Sequence, residues 1–292
     1  MSEYLTTKEL AELLRLKERK IYELAANGEV PCTRATGKLL FPRRAIQVWM
    51  SKHSSGPGFE SELSRPNVFL GSHDPLLEWA LRESNCGCAT YFDGSLDGIE
   101  RFSRAQGIAA GLHLHCASTN EWNVPQITER FSNEPVALIQ LAWRERGLIV
   151  SPGNPLGIDG IGSLKGKRVV NRQSSTGSHA LFTHLLDGCG LAPTDFACPL
   201  TARSESDAAL AVLENKADAA FGLLGMANQF RLDYIPVVRE RFDLLVERKA
   251  WFDPPLQAFA SFCASKRFID KAAGLGGYDV SGFGHILYNG RV

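Results

Sequence analysis

The run RVVNRQSSTGSHALFTHLL, residues 168–186, changes period half-way along. A short β-branched stretch gives way to small hydroxyl residues and one glycine, then to apolar residues at helical spacing. The same scheme recurs in NVFLGSHDPLLEWALRE and CATYFDGSLDGIERFSRAQ. AAGLHLHC reads as another short buried strand, and SESDAALAVLENKADAAFGLLG as a capped helix leading into a strand. Two extended runs each are expected in PVALIQLAWRERGLIVSPGNP and YIPVVRERFDLLVER. Strands and helices in regular alternation confine residues 67–292 to an α/β fold with mainly parallel sheets, and the segment is long enough for two lobes.

In open α/β sheets, ligands bind beyond the carboxyl ends of strands, where loops lead into helix N-termini. Three loops share that chemistry: GSHD (71–74), DGSLDG (93–98) and QSSTGS (173–178). Each places Ser or Thr with Gly where a helix begins, offering hydroxyls, N–H groups and the positive end of a helix dipole to an anion. One such loop alone reads as an ordinary N-cap. Three of them, with Arg172 beside the third, make a binding cleft the better reading. Its candidate ligand residues are Ser72, Ser95, Arg172, Ser174, Ser175, Thr176, Gly177 and Ser178.

The first fifty residues follow another rule. Thr6 and Glu9 form a capping box, so a helix starts near Thr7. Arg15 and Leu16 break it, and a second helix runs through Ile21, Leu24 and Ala25 to a stop at Asn27-Gly28. That spacing is a helix-turn-helix, whose second helix is the candidate reader of a DNA groove. CTRATGKLLF then predicts a two-stranded wing, and Pro42 a third helix closed by Ile46 and Trp49. Residues 1–52 hold ten Lys or Arg against six Asp or Glu, a net +4 that leaves −4 for the rest of a neutral chain. A basic head suits a polyanion. Lys17, Arg19, Lys20 and Tyr22 belong on the exposed face of the second helix, and Arg34 and Lys38 on the wing, within reach of phosphates. Residues 51–66, rich in Ser, Gly, Pro and charge, read as a linker.

Other signals exclude rather than identify. No apolar run approaches a membrane span and the N-terminus lacks the pattern of a signal peptide. With seven scattered cysteines, this predicts a cytoplasmic protein. Cys86 and Cys88 with His113 and His115 have spacings unusual for structural zinc, and they read as structural cysteines and a satisfied histidine pair on one strand face. There is no nucleophile elbow, Walker loop or dinucleotide fingerprint, and Asp93 and Asp97 read as turn and cap residues. The expectation is a binding protein, not an enzyme, with no cofactor.

LTTKELAELL, KIYELAANGEVP and GKLLFPRRAIQVWM make the head resemble the excisionase-like, MerR-related winged helix-turn-helix family, with Arg15 and Lys17 where that family has Gly and Ser. The body resembles the periplasmic-binding-protein-like domain of bacterial transcription regulators and of some molybdenum-cofactor biosynthesis proteins. That likeness rests on GSLDGIERFSRAQGIAAGLHLH, RERGLIVSPGNPLGI, VNRQSSTGSHALFTHLL, ADAAFGLLGMA, YIPVVRERFDLL and GGYDVSGFG. It implies a two-lobed type II body with crossings near Leu148–Ser151 and Ile235–Val238: lobe one 67–149 with 237–292, lobe two 150–236. Kinship to molybdate and tungstate binders makes a tetrahedral oxyanion the first ligand to consider, with a small organic anion as competitor. The family's Asn-Arg-Gln is kept as Asn171, Arg172 and Gln173, while His179 stands where an Arg is usual. His115 and Asn154 fall in matching segments near the expected cleft. The resemblance implies a one-component regulator, a homodimer binding double-stranded DNA under control of a small anion. An excisionase-like architectural protein and a molybdenum-cofactor-related carrier are the alternatives.

Overall fold

The computed structural model describes residues 3–34, 37–52, 65–197 and 200–290. The chain divides into two compact units, residues 1–64 and 65–292. In the first, β1 (Tyr4–Thr6) runs into α1 (Thr7–Leu14) through the expected capping box: the Thr6 side chain accepts from the Glu9 N–H, and the Glu9 carboxylate accepts from the Thr6 N–H. Arg15 then takes the left-handed conformation at φ 53°, a backbone state that favours glycine. The second helix, α2 (Glu18–Ala26), starts at Lys17 with no side-chain cap. Leu10, Ile21, Phe41 and Ile46 close the core of this unit.

The predicted wing differs in its pairing. Among the described residues its arms meet in one bridge, Thr33 to Leu40, with mutual hydrogen bonds of 2.8 and 2.9 Å. Leu40 instead continues into β2 (Leu40–Pro42), which pairs antiparallel with β1. Pro42 therefore ends a strand, and α3 (Arg43–Lys52) begins after it. Residues 53–64, most of the predicted linker, and the wing tip at 35–36 lie outside the described residues.

The second unit alternates as expected at first. β3 (Val68–Gly71), α4 (Pro75–Glu83), β4 (Ala89–Phe92), α5 (Ser95–Ser103) and β5 (Ala109–Leu112) form one lobe's parallel sheet, β5-β3-β4. A hairpin, β6 (His115–Cys116) with β7 (Glu121–Trp122), and α6 (Val124–Arg130) lead to β8 (Val136–Val150). The other lobe comprises β9 (Val169–Arg172), α7 (Gly177–Gly188), β10 (Thr201–Ala202), α8 (Glu205–Leu213), β11 (Ala219–Leu223) and α9 (Leu224–Phe230). β12 (Asp233–Glu247) returns to the first lobe, which α10 (Arg248–Trp251), α11 (Pro254–Cys263), α12 (Lys266–Leu275), β13 (Tyr278–Asp279) and β14 (Ile286–Asn289) complete.

β8 and β12 correct two expectations. Each sequence segment expected to hold two short runs forms one unbroken strand of 15 residues. These strands pair antiparallel with one another, β11 is antiparallel to β8, and β5 is antiparallel to β12. The sheet is thus mixed rather than mainly parallel. Free in β8's sequence, Arg-Glu-Arg looks like a strand break; in the fold its two arginines are buried against countercharges. The far edge of β8 passes from β13 at Arg144 to β11 at Arg146, so the crossing lies there, earlier than Leu148–Ser151. β12 gains β5 as a second partner from Asp243, beyond a bulge after Phe242. Separate cores fill the lobes, Phe69, Leu77, Phe242 and Phe259 in the first, and Leu148, Val169, Leu181 and Phe221 in the second.

Glycines set the site's starting geometry. Gly71 ends β3 at φ +93°, where a Cβ would lie 2.3 Å from the Gly111 carbonyl oxygen. A Cβ on Gly98 of α5 would lie 2.3 Å from the Gly71 Cα. Helix and strand therefore touch backbone to backbone, bringing Ser72, which follows Gly71, and Ser95, the first residue of α5, together. Gly98→Ala should force them apart, destabilising the protein by at least the ~1–3 kcal/mol typical of overpacking, measurable by urea unfolding.

Candidate functional site

Beneath the junction of the lobes runs a ladder of alternating charge. Arg144 of β8 donates to Asp74, which caps α4, at 2.6 Å. It lies 2.7 Å from Glu240 of β12 on its other side. Glu240 accepts from Arg146 at 2.8 Å, and Arg146 meets Glu205, the first residue of α8, at 3.1 Å. Glu205 accepts in turn from Arg172 at 2.8 Å and Ser178 at 3.3 Å. His113 Nδ1 closes on Glu240 at 3.0 Å, and the Tyr278 hydroxyl donates to Asp74 at 2.7 Å. All six ladder residues are buried. Each charge finds an opposite one, the condition under which ions survive away from water.

Sequence reasoning passed over Asp74, Arg144, Arg146, Glu205 and Glu240. The signal lay in two Arg-Glu-Arg tripeptides, at 144–146 and 239–241, set inside apolar runs. Strand alternation buries both arginines of the first but only the glutamate of the second, and the register places Glu240 opposite Arg144.

Above the ladder the cleft is lined by Ser72, Asp93, Arg172, Thr176, Ser178 and Arg203, among others. It encloses about 10 Å³, room for about one water. The three loops meet here as the sequence suggested, but largely bonded to each other. Ser72 and Ser95 are buried with their hydroxyls 2.7 Å apart, and Ser95 accepts from the His113 N–H. Thr176 caps α7, accepting from the His179 N–H at 3.2 Å. Ser175 reaches across the cleft, donating to the Asp93 carbonyl at 3.2 Å, while its own carbonyl accepts from the Leu96 N–H at 3.4 Å. Gly94 and Gly177 lie at the same seam: a Cβ on either would fall 2.6 Å from the Ser175 or 2.5 Å from the His113 carbonyl oxygen. The lobes are shut.

Other predicted residues stand apart. Asn154 spends its amide on its own loop, bonding the backbone of Ile158 in both directions at 2.7 and 3.0 Å. Ser174 is exposed and His179 half-buried, and neither lines the cleft. His115 belongs to a different cavity, beside Trp122 and His184. His113 and His115 do not share a face, because β5 ends at Leu112 and the hairpin begins at His115. Arg172 keeps one unused donor: its Nε is buried and has no partner among the described residues.

Burial pushes the Glu205 and Glu240 carboxyls up, but the neighbouring arginines outweigh it and hold both below the usual carboxylate range. Burial lowers His113, against the pull of Glu240, so its imidazole resists protonation. In the first lobe, burial raises Asp243 to about 6 despite Arg241 beside it.

On the head, Lys8, Tyr22, Arg34 and Lys38 line one concavity of about 610 Å³ with Thr6 and Leu40. Tyr22, Arg34 and Lys38 were expected on a nucleic-acid face; Lys8 was not. Lys17, Arg19 and Lys20 are exposed outside this concavity, Arg19 and Lys20 each 3.5 Å from Glu23.

A helix-turn-helix head and a two-lobed body with a polar cleft at the strand crossing define the class: a DNA-binding module joined to a solute-binding fold. Residues 78–264 match the PBP superfamily domain, and the chain belongs to that family. Residues 4–54 match a helix-turn-helix domain. The chain is 26% identical to the uncharacterized protein YvgK of Bacillus subtilis (strain 168), across 97% of both chains. Among solved structures it resembles the hydrogen-peroxide-bound C206S mutant of Corynebacterium glutamicum OxyR, with a TM-score of 0.51 and 12% identity over 92% of this chain and 89% of that one. The effector-binding domain of a BenM variant matches 74% of this chain and 99% of its own, with a TM-score of 0.50 and 11% identity. These likenesses show a shared fold. No helix among the described residues is long and apolar enough to cross a membrane.

Two outcomes follow from the ladder. Arg146→Met strands Glu205 and Glu240 without their shared cation, so it should cost about 3–5 kcal/mol in chemical denaturation. The pH dependence has a definite sign. Below about pH 6.5 the unfolded state takes up a proton at His113 that the folded state refuses, and near pH 4.5 the same holds for Glu205 and Glu240. The unfolded state binds more protons, so Tm should fall as pH drops through this range. Asp243, raised in the fold, opposes this between about pH 4 and 6, and Asp243→Asn should steepen the fall.

Proposed function

We propose that this chain is a one-component transcriptional regulator, a homodimer whose head binds duplex DNA and whose cleft binds a small anion. The observation that carries this reading is Arg172. Its buried guanidinium lines the cleft at the start of α7, with Nε lacking a partner, in a chain that also holds a helix-turn-helix head. The fold shared with the BenM effector-binding domain and with OxyR supports the same reading. A protein that reads DNA and senses a solute works in the cytoplasm, and it binds without turnover.

The closed cleft constrains the ligand. Glu205 already takes up Arg146, Ser178 and one arm of Arg172, so an arriving anion competes with an internal carboxylate. The existing space is far below that of a tetrahedral oxyanion, so the lobes must part first, breaking the Ser175 contacts to Asp93 and Leu96. Molybdate, tungstate and small organic acids remain the ligands to test. Two discrete shapes of the body would set the spacing of paired heads, and a typical coupling of ~1–3 kcal/mol would change DNA affinity about 5- to 150-fold.

On the DNA side, neutralised phosphates release counterions, so affinity should fall steeply on a log–log salt plot. Removing Arg34 and Lys38 should flatten that slope by about two, and a slope already near zero would dismiss the DNA reading. On the ligand side, melting temperatures with molybdate, tungstate, phosphate and small carboxylates should rise for the anion that binds. Arg172→Lys keeps the charge but loses the fork, and it should abolish that rise while leaving the unliganded Tm near its original value. An unchanged rise would remove Arg172 from the site.

A further inference from the structure

The strands that carry the ladder have a second face. Alternation sends Arg144, Arg146 and Glu240 into the ladder and turns Trp143, Arg239 and Arg241 the other way. There, behind the cleft, they wall a cavity of about 510 Å³ with the β6–β7 hairpin and the middle of α7. That volume lies within the range of small-molecule sites, ~300–1,000 Å³.

The lining includes four aromatic rings and comes from both lobes. His115 lies 5.0 Å from the Trp122 ring and 5.1 Å from that of His184, measured between centroids. Arg239 and Arg241 lie over Trp143 at 5.4 and 5.7 Å, and Leu181 and Leu185 of α7 fill the remaining wall. Flat side chains of this kind suit a flat guest.

The cavity's two arginines are already paired, and its remaining charged residue, Glu121, is a carboxylate. Arg239 pairs with Asp279, and Arg241 donates to Asp243 and to the Trp122 carbonyl. An anion gains no unmatched cation here. One polar atom is unmatched: His115 Nδ1 is buried with no partner among the described residues. Its Nε2 lies 3.0 Å from Asn120 Oδ1, an oxygen that can only accept, so Nε2 carries the hydrogen. In the neutral ring Nδ1 then holds a lone pair and needs a donor. Leaving such a buried acceptor unpaired is unfavourable.

We propose that this cavity is a second ligand site, for an uncharged planar aromatic carrying one N–H or O–H donor, an indole or a phenol, which donates to His115 Nδ1. The site is distinct from the anion cleft and does not depend on that reading. α7 serves both: its cap Thr176 and its first-turn Ser178 lie at the cleft, and its next turns hold Leu181 and Leu185 at this cavity.

Isothermal titration of the full chain with indole, and with benzothiophene, which has the same shape without the N–H, tests the proposal. Indole should bind about tenfold more tightly, the worth of one hydrogen bond to a buried acceptor. His115→Leu should erase the difference between the two compounds. His184→Ala, at an exposed wall residue, should weaken both, and Arg172→Lys should change neither. Failure of indole to bind, equal affinity of the wild type for both compounds, or loss of indole binding in Arg172→Lys would each overturn it. The last outcome would place the aromatic in the cleft and leave the anion reading to its own test.

Discussion

The pairing of Arg144 and Arg146 with Glu240 ties the two lobes, because it occurs where β8 exchanges β13 for β11 as its edge partner. There the two buried arginines meet both apolar cores, Arg144 over the Phe242 ring and Arg146 over the Phe221 ring. Charges inside protein need partners of opposite sign. The ladder supplies those partners from four further elements: Asp74 before α4, His113 after β5, Glu205 on α8 and Arg172 at the end of β9. Lobe position, cleft floor and the first turn of α8 are therefore one electrostatic unit.

That unit explains what the sequence disclosed and what it hid. The head was legible because its signals are local: a capping box at Thr6 and Glu9, a stop at Asn27-Gly28, apolar spacing through Ile21 and Ala25. Its turn was readable even without glycine, since Arg15 accepts the left-handed conformation that the geometry demands. The wing's arms do meet at Thr33 and Leu40; the pairing of Leu40–Pro42 with β1 was not legible, because Leu40 and Phe41 are equally good strand residues for either partner. The alternation of strands and helices in the body was legible for the same local reason, except at β8 and β12. There a charged tripeptide marks burial against a distant countercharge, a fact set by register rather than by neighbouring residues.

The cleft shows the same divide. Hydroxyl-and-glycine loops announced where α5 and α7 begin, and the structure does bring Ser72, Ser95, Ser175, Thr176 and Ser178 to one place. Residue type could not reveal to whom each hydroxyl is bound. Ser178 and Arg172 are engaged by Glu205, a helix-starting residue that in sequence resembles any acidic first turn. Likewise His113 and His115 look like an alternating pair, and only the end of β5 at Leu112 sends them to separate cavities.

The seam between the lobes is made mostly of main chain. Gly94 rests on the Ser175 carbonyl, Gly177 on the His113 carbonyl, and the Leu96 amide on Ser175 again. Peptide groups are common to every residue, so the fit of one lobe on the other is indifferent to most side chains that line the space between them. The groups that line the space and the groups that seal it consequently belong to different parts of the polypeptide. Side chains such as Ser72 and Arg203 line that space without making the main-chain contacts that close it.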